Sequence, residues 1–305
     1  MTKKSENSGS PGQYIHLHDH FHMLRDTARM QAFKEALQKV VPQGARVLEL
    51  GGGTGVLSFF AAQRAAKVWC VEKIPELVRA SRHMLSLNGI GEKIHVIEGD
   101  AMEYLPPEPV DVVICEMIHV GMLREKQIQV IHSFKERYRR KFGDQLPLFV
   151  PEAAIMAVQP VFQLFNFSGF YAPTPLFYDP MMSHNETLGM GDPWNYQMLM
   201  YNQDLPDQYR CDCAIPINVS GAVNALRFIT KNVVAILVPE KRTIDWFSQY
   251  MVVPIPEPLN VKTGDQIHVR FSYQSGDPID SLTKSISATR TCADASPVFQ
   301  TLQAR

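Results

Sequence analysis

The sequence predicts an α/β fold: a doubly wound parallel sheet through residue 150, followed by a β-rich, barrel-like domain. Three observations predict it. Apolar runs of strand length alternate with amphipathic helical runs in ARVLELGGGTGVLSFFAAQRAAKVWCVEKIPELVRASRHMLSLNG, from Ala45 to Gly89, and this alternation marks parallel strands joined by helices. A glycine-rich turn stands at the first strand–helix junction. After about Pro151 the helical period disappears, and AAIMAVQPVF, VNALRFITKNVVAILV and QIHVRFSYQ read as strands between turn residues.

Taken in order, residues 1–13 are polar, Ser/Gly/Lys-rich and expected to be disordered. The next segment, YIHLHDHFHMLRDTAR, places histidines at every second position, His16, His18, His20 and His22. That spacing would line one face of a strand, but the stretch that follows reads as helix. Met30, Phe33, Ala36, Leu37 and Val40 recur at helical spacing between Arg29 and Val41. Strands then fall on ARVLEL, on the run ending at Glu72, on KIHVIEGDA and on VDVVICEMI. The expected organisation is a nucleotide-binding domain over 14–150 and a β-barrel-like domain over 151–305. The second contains an irregular insert at 166–212, rich in aromatics, Met and Pro. Long irregular stretches inside compact proteins are usually functional or interfacial.

The bulk properties exclude several classes. A chain of 305 residues, 45% hydrophobic and 20% charged, has material for two domains and a sizeable core. A formal net charge of −1 gives no electrostatic reason to expect a nucleic acid or an anionic membrane. Five cysteines without framework spacing argue against a disulfide-stapled secreted domain. No apolar run reaches the length of a membrane span and the start has no signal-peptide core, so a cytoplasmic protein is expected.

Glu49-x-Gly51-x-Gly53-x-Gly55 sits where a strand turns into a helix. Glycine permits the tight turn and close ligand approach, and the helix start presents free N–H groups. The dinucleotide fingerprint requires glycine at position 56, where Val56 stands. The spacing instead resembles class I methyltransferases that bind S-adenosylmethionine. Glu72 ends the following strand, where a carboxylate can take both ribose hydroxyls. Acidic groups in EGDAME follow the third strand.

After the fourth strand, CEMIHVGMLRE places Glu116 and Glu125 nine residues apart. Two carboxylates beyond the carboxyl ends of parallel strands can grip a planar cation, and guanidinium has the matching geometry. The chain here resembles the protein arginine methyltransferase family, which carries a double-glutamate loop of this separation. The family's N-terminal pattern is also present, as Tyr14, His20, Met23, Leu24, Asp26 and Arg29. The likeness extends to about Ser272, dense in the first half and patchy in the second.

The resemblance implies a Rossmann-like domain of the seven-stranded type, a β-barrel, and S-adenosylmethionine as cofactor. It implies that Tyr14, His20, Met23, Arg29, Gly51, Gly53, Glu72 and Glu103 hold that cofactor. Arg29 would meet its carboxylate, His20 and Glu72 its ribose, and Glu103 its adenine. Glu116 and Glu125 would be catalytic, and Asp26, Asp245 and Trp246 would line the acceptor pocket. No metal is implied, and only His20 of the histidine run has a counterpart. The family dimerises through an arm projecting from its barrel, so a homodimer through the insert is expected; the alternative is a lid over the acceptor pocket.

Departures cluster around the acceptor. Met117 replaces the family's Trp after the first glutamate, Gln127 replaces a Met after the second, and its Thr-His-Trp has become Ile244-Asp245-Trp246. In the family that His pairs with the Asp equivalent to Asp26, so Asp26 and Asp245 are expected to repel, favouring a cationic acceptor between them. The acceptor is therefore expected to carry a cationic nitrogen, on a protein or on a small molecule. The competing readings are a small-molecule N- or O-methyltransferase and a non-catalytic cofactor-binding scaffold.

Overall fold

The computed structural model describes residues 15–180 and 185–292. Tyr14 and the N-terminal segment 1–13 lie outside the described residues. Two helices come first, α1 (Leu17–Arg25) and α2 (Thr27–Val40). They part at Asp26, whose carboxylate caps α2 by accepting the Arg29 N–H at 2.8 Å. The histidine run thus lies on a helix, where residues four apart share a face. His18 and His22 approach Nε2 to Nε2 at 2.9 Å, and His20 points elsewhere, toward the glycine turn.

The first sheet comes from β1 (Arg46–Leu50), α3 (Val56–Ala62), β2 (Lys67–Glu72), α4 (Pro75–Ser86), β3 (Ile94–Glu98), β4 (Val112–Cys115), α5 (Gln127–Phe142) and β5 (Leu148–Val150). Its strands are all parallel, in the order β3-β2-β1-β4-β5. Val47, Leu48 and Leu50 of β1 are buried, as a strand covered on both faces requires. The sheet has five strands where seven were implied, because the chain leaves β5 for an antiparallel sheet. Strand order reverses between β1 and β4, and a doubly wound sheet opens its binding crevice at such a switch point.

The second half continues with β6 (Ala153–Gln163), β7 (Asn166–Phe167), β8 (Phe170–Tyr171), β9 (Leu176–Tyr178), β10 (Thr187–Gly189), β11 (Trp194–Met200), β12 (Gln208–Pro216), β13 (Gly221–Leu237), β14 (Arg242–Phe247), β15 (Tyr250–Val261), β16 (Gln266–Gln274), α6 (Ile279–Ser285) and β17 (Ser287–Thr291). A curled antiparallel sheet runs β10-β6-β13-β15-β9, with β11 on β6 and β14 on β13; β12, β16 and β17 form a second sheet. Much of the expected irregular insert is therefore sheet: β10 and β11 extend along β6, and β9 adds to the edge of β15. Among the described residues the β7–β8 hairpin stands off, exposing Phe170 and Tyr171 by 72% and 63%.

The two halves share their cores. Phe33 of α2 packs edge to face on Trp246 of β14, ring centroids 6.1 Å apart. The Gly121 N–H donates to Thr230 Oγ1 of β13 at 2.8 Å. These contacts fix the barrel against the loop that follows β4. Among the described residues no helix is long and apolar enough to cross a membrane.

Candidate active site

A cleft of about 1670 Å³ lies between the parallel sheet and the barrel, over the switch point. The structure brings to it His20, Met23, Asp26, Arg29, Gly51, Gly53, Glu72, Glu116, Glu125 and Trp246.

The glycine turn forms one end. Gly51 and Gly53 have φ of +77° and +53°, a region that side chains rarely adopt. Both are also crowded: a Cβ on Gly53 would stand 2.7 Å from His20 Cε1, and one on Gly51 would stand 2.8 Å from the Met117 side chain. Glu72 is oriented by two backbone donors, Gly53 N–H at 2.9 Å and Ile74 N–H at 2.8 Å. It stands at the carboxyl end of its strand, where a ribose can be reached. Burial lowers the His20 pKa against the opposing pull of Glu72, which leaves a neutral ring beside that carboxylate. Beneath the turn, buried Glu49 accepts from the Ser58 N–H at 2.9 Å and from its hydroxyl. Burial raises Glu49 to about 7 although those bonds oppose it. This turn, its strand-end carboxylate and its neutral histidine have the donor and acceptor set that a nucleoside sulfonium requires.

The double-glutamate loop forms the other end. Glu116 is ion-paired with Arg29, and their side chains are 10% and 8% exposed. Arg29 also lies 5.8 Å from the ring centroids of both Phe33 and Trp246. Burial raises the Glu116 carboxyl, and the Arg29 charge pulls it back. Glu125 is pushed up to about 8, first by burial and then by the Glu116 charge, with Arg29 and Arg124 opposing. The loop therefore holds a largely enclosed carboxyl pair that gains strongly from an incoming cation.

Three expectations change. Asp245 does not join Asp26 in the cleft. Side chains alternate along β14, so Trp246 faces inward while Asp245 turns to the other face. There it pairs with Lys231 at 2.8 Å and accepts from Thr243 Oγ1 at 3.0 Å. Asp26 is satisfied without any histidine, accepting from the Arg29 N–H and from Trp246 Nε1 at 3.1 Å. Glu103 is exposed and off the cleft, and Asp100, Ala101 and Met102 line it instead. Asp100 lies at the strand end proper, holding the Met102 N–H at 2.9 Å and Lys73 Nζ at 2.7 Å. The groups assigned to cofactor and to acceptor also prove to be in contact rather than apart, because Arg29 and Glu116 are bonded to each other.

Other cleft residues were missed. His119, Arg124, Phe177, Asp179 and Pro180 line it. Burial drives His119 down to about 4, and its ring meets the edge of Phe177 at 5.5 Å. The position of His119 and Arg124 inside the double-glutamate loop was a usable signal. Nothing local marked residues 177–180, which arrive through the pairing of β9 with β15. Among the described residues no group of three or more His, Cys, Asp or Glu is arranged to hold a metal ion.

Comparison with known proteins agrees with this fold. Residues 47–140 match the family described as Methyltransferase domain. An uncharacterized protein of Methanothermobacter thermautotrophicus is 29% identical over 271 residues, covering 88% of this chain and 96% of that one. The arginine N(omega)-methyltransferase of Streptomyces achromogenes subsp. streptozoticus is 34% identical over 134 residues, covering 42% of this chain and 37% of that enzyme. The Trypanosoma brucei PRMT1 enzyme–prozyme complex with AdoHcy superposes with a TM-score of 0.70 at 18% identity, covering 91% of this chain and 99% of that one. With its parallel sheet, its glycine turn and its antiparallel second half, the chain is an S-adenosylmethionine-dependent methyltransferase that resembles the protein arginine methyltransferases.

Proposed function

We propose that the enzyme methylates a guanidino or amino nitrogen. The observation that carries this reading is the convergence of Glu116 and Glu125, each partly buried and the first repelling the second, on the cleft that also holds the glycine turn and Glu72. When bound, S-adenosylmethionine supplies an electrophilic methyl on a positively charged sulfur. Gly51 and Gly53 would lie under it, Glu72 and His20 at its ribose, and Asp100 and Met102 near its base. Arg29 would offer donors to its carboxylate while keeping Glu116 in place, since a guanidinium has five N–H groups.

Glu116 and Glu125 would bind the acceptor's cationic group and orient the nitrogen lone pair in line with the methyl. Such orientation supplies much of the rate in a direct displacement. Glu125, as a carboxylate, would take up the proton lost by the nitrogen. Trp246 forms the adjoining wall. Phe177 and Pro180 bring part of the insert against the same cleft, which favours a small-molecule acceptor over a long peptide. The β7–β8 hairpin, with its exposed aromatics, would serve self-association.

The test is a screen with methyl-labelled S-adenosylmethionine against free amino acids, guanidino metabolites, polyamines, an arginine-rich peptide and cell extract, with products read by mass. Labelled nitrogen is the expected result. Tight cofactor binding with label in no nitrogen compound would refute the reading and favour a scaffold.

A further inference from the structure

The loop that presents Glu125 also presents a cation to the same cleft. Arg124 lies immediately before Glu125, with consecutive Cα atoms about 3.8 Å apart, and both side chains line the cleft. The Arg124 backbone has φ of +63°, a conformation costly for a side chain of this size and usually kept where surrounding structure holds it. Here the holder is the turn after β16: the Arg124 N–H donates to the Asp277 carbonyl at 2.8 Å, and the Gly276 N–H donates to the Met122 carbonyl at 2.8 Å.

Arg25, Arg29, Lys73 and Lys126 also border the cleft. Arg29 is bonded to Glu116, and Lys73 reaches Asp100 at 2.7 Å. The Arg124 guanidinium is half-buried and forms no salt bridge among the described residues, although its charge acts on Glu125. Beside it the neutral His119 ring packs on Phe177, and β9 is hydrogen-bonded to β15. This end of the cleft is therefore a walled space with a carboxylate pair and an unpaired guanidinium side by side. A ligand matching that pattern carries a cation and an anion within one small molecule.

We propose that Arg124 is an anion subsite and that the acceptor is a free amino or guanidino acid. Its cationic nitrogen would meet Glu116 and Glu125, and its own carboxylate would meet Arg124. An arginine within a polypeptide has spent that carboxylate in a peptide bond and cannot make the second contact. The inference rests on the preceding reading that the cleft methylates a cationic nitrogen.

The experiment compares acceptors that differ only in the carboxylate: arginine with agmatine, ornithine with putrescine, and lysine with cadaverine. Methyl transfer is measured, and binding to the S-adenosylhomocysteine-loaded protein is followed by calorimetry. The wild type should prefer the carboxylate-bearing member of at least one pair by roughly tenfold or more, the scale of one charge-assisted contact. Arg124→Met should reduce that preference to within about threefold while leaving cofactor affinity intact. Arg124→Asn, which tolerates the left-handed backbone, gives the same readout should Met disturb the loop. Equal use of both members, a preference that survives both variants, or a loss confined to cofactor affinity overturns the proposal. If no member of any pair binds or is methylated while the cofactor does bind, the nitrogen-methylation reading has failed as well, a result distinct from equal use.

Discussion

Glu125→Gln should stabilise the ligand-free enzyme, and by an amount that grows with pH. In the folded cleft burial and the charge of Glu116 raise the Glu125 carboxyl from an ordinary 4.5 to about 8. Below the unfolded value both states are protonated, and the residue costs nothing. As pH rises above it the unfolded chain ionises while the folded one stays protonated, so stability falls by about 1.4 kcal/mol per pH unit. The penalty levels off only above the folded value. Glutamine mimics the protonated carboxyl and escapes the penalty. Between pH 5 and pH 8 the gap between variant and wild type should thus widen by about 4 kcal/mol at most. Glu49, raised to about 7, titrates in both proteins and cancels in the comparison. Urea unfolding of both proteins, without cofactor, at pH 5, 6, 7 and 8 measures the gap directly. Parallel pH profiles would show that Glu125 ionises normally in the cleft and would refute the argument from burial.

Four other outcomes are expected. Glu72→Ala should weaken S-adenosylmethionine binding in calorimetry by about 1.5–3 kcal/mol, the scale of a charged hydrogen bond; unchanged affinity would remove Glu72 from the cofactor site. Glu116→Gln should abolish turnover without weakening cofactor affinity, because it frees Arg29. Its folding cost should stay below the roughly 3–5 kcal/mol of removing a buried partner outright, since the amide still accepts a bond. Asp245→His should leave acceptor choice unchanged and cost less than about 1 kcal/mol, because it removes a partly exposed pair with Lys231; a changed acceptor profile would return Asp245 to the pocket. In sedimentation at micromolar concentration the enzyme should be a dimer, and Phe170→Ser with Tyr171→Ser a monomer; a monomeric wild type contradicts this.

The parts of the site that were legible in sequence are those whose chemistry is local. A strand, three alternate glycines and a strand-end acid need only their neighbours to be recognised, and Glu72 stands where strand alternation placed it. Glu103 failed by a small margin of the same rule: Asp100 is the first acid after β3, and by Glu103 the chain has turned outward. Asp245 failed because direction on a strand depends on pairing register. Trp246 lies opposite Asn232 and faces the cleft, and the residue before it must face away. The insert defied periodicity because β9 and β10 have three residues each, too few to show alternation, and their partners lie far along the chain. The place of Arg124 between Glu116 and Glu125 was legible, but the φ of +63° that sets the course of its side chain was not.

The junction at Asp26 has a consequence for movement around the cleft. Helix α1 buries none of its residues and meets the glycine turn through His20, so it can swing aside without opening the core. Its hinge, however, is clasped on one side by α2 and on the other by Trp246 of the barrel. Swinging α1 to admit or release the nucleoside therefore pulls on the wall against which the acceptor rests. Such a linkage joins the movement of the nucleoside's cover to the wall of the neighbouring pocket, so neither can shift without the other.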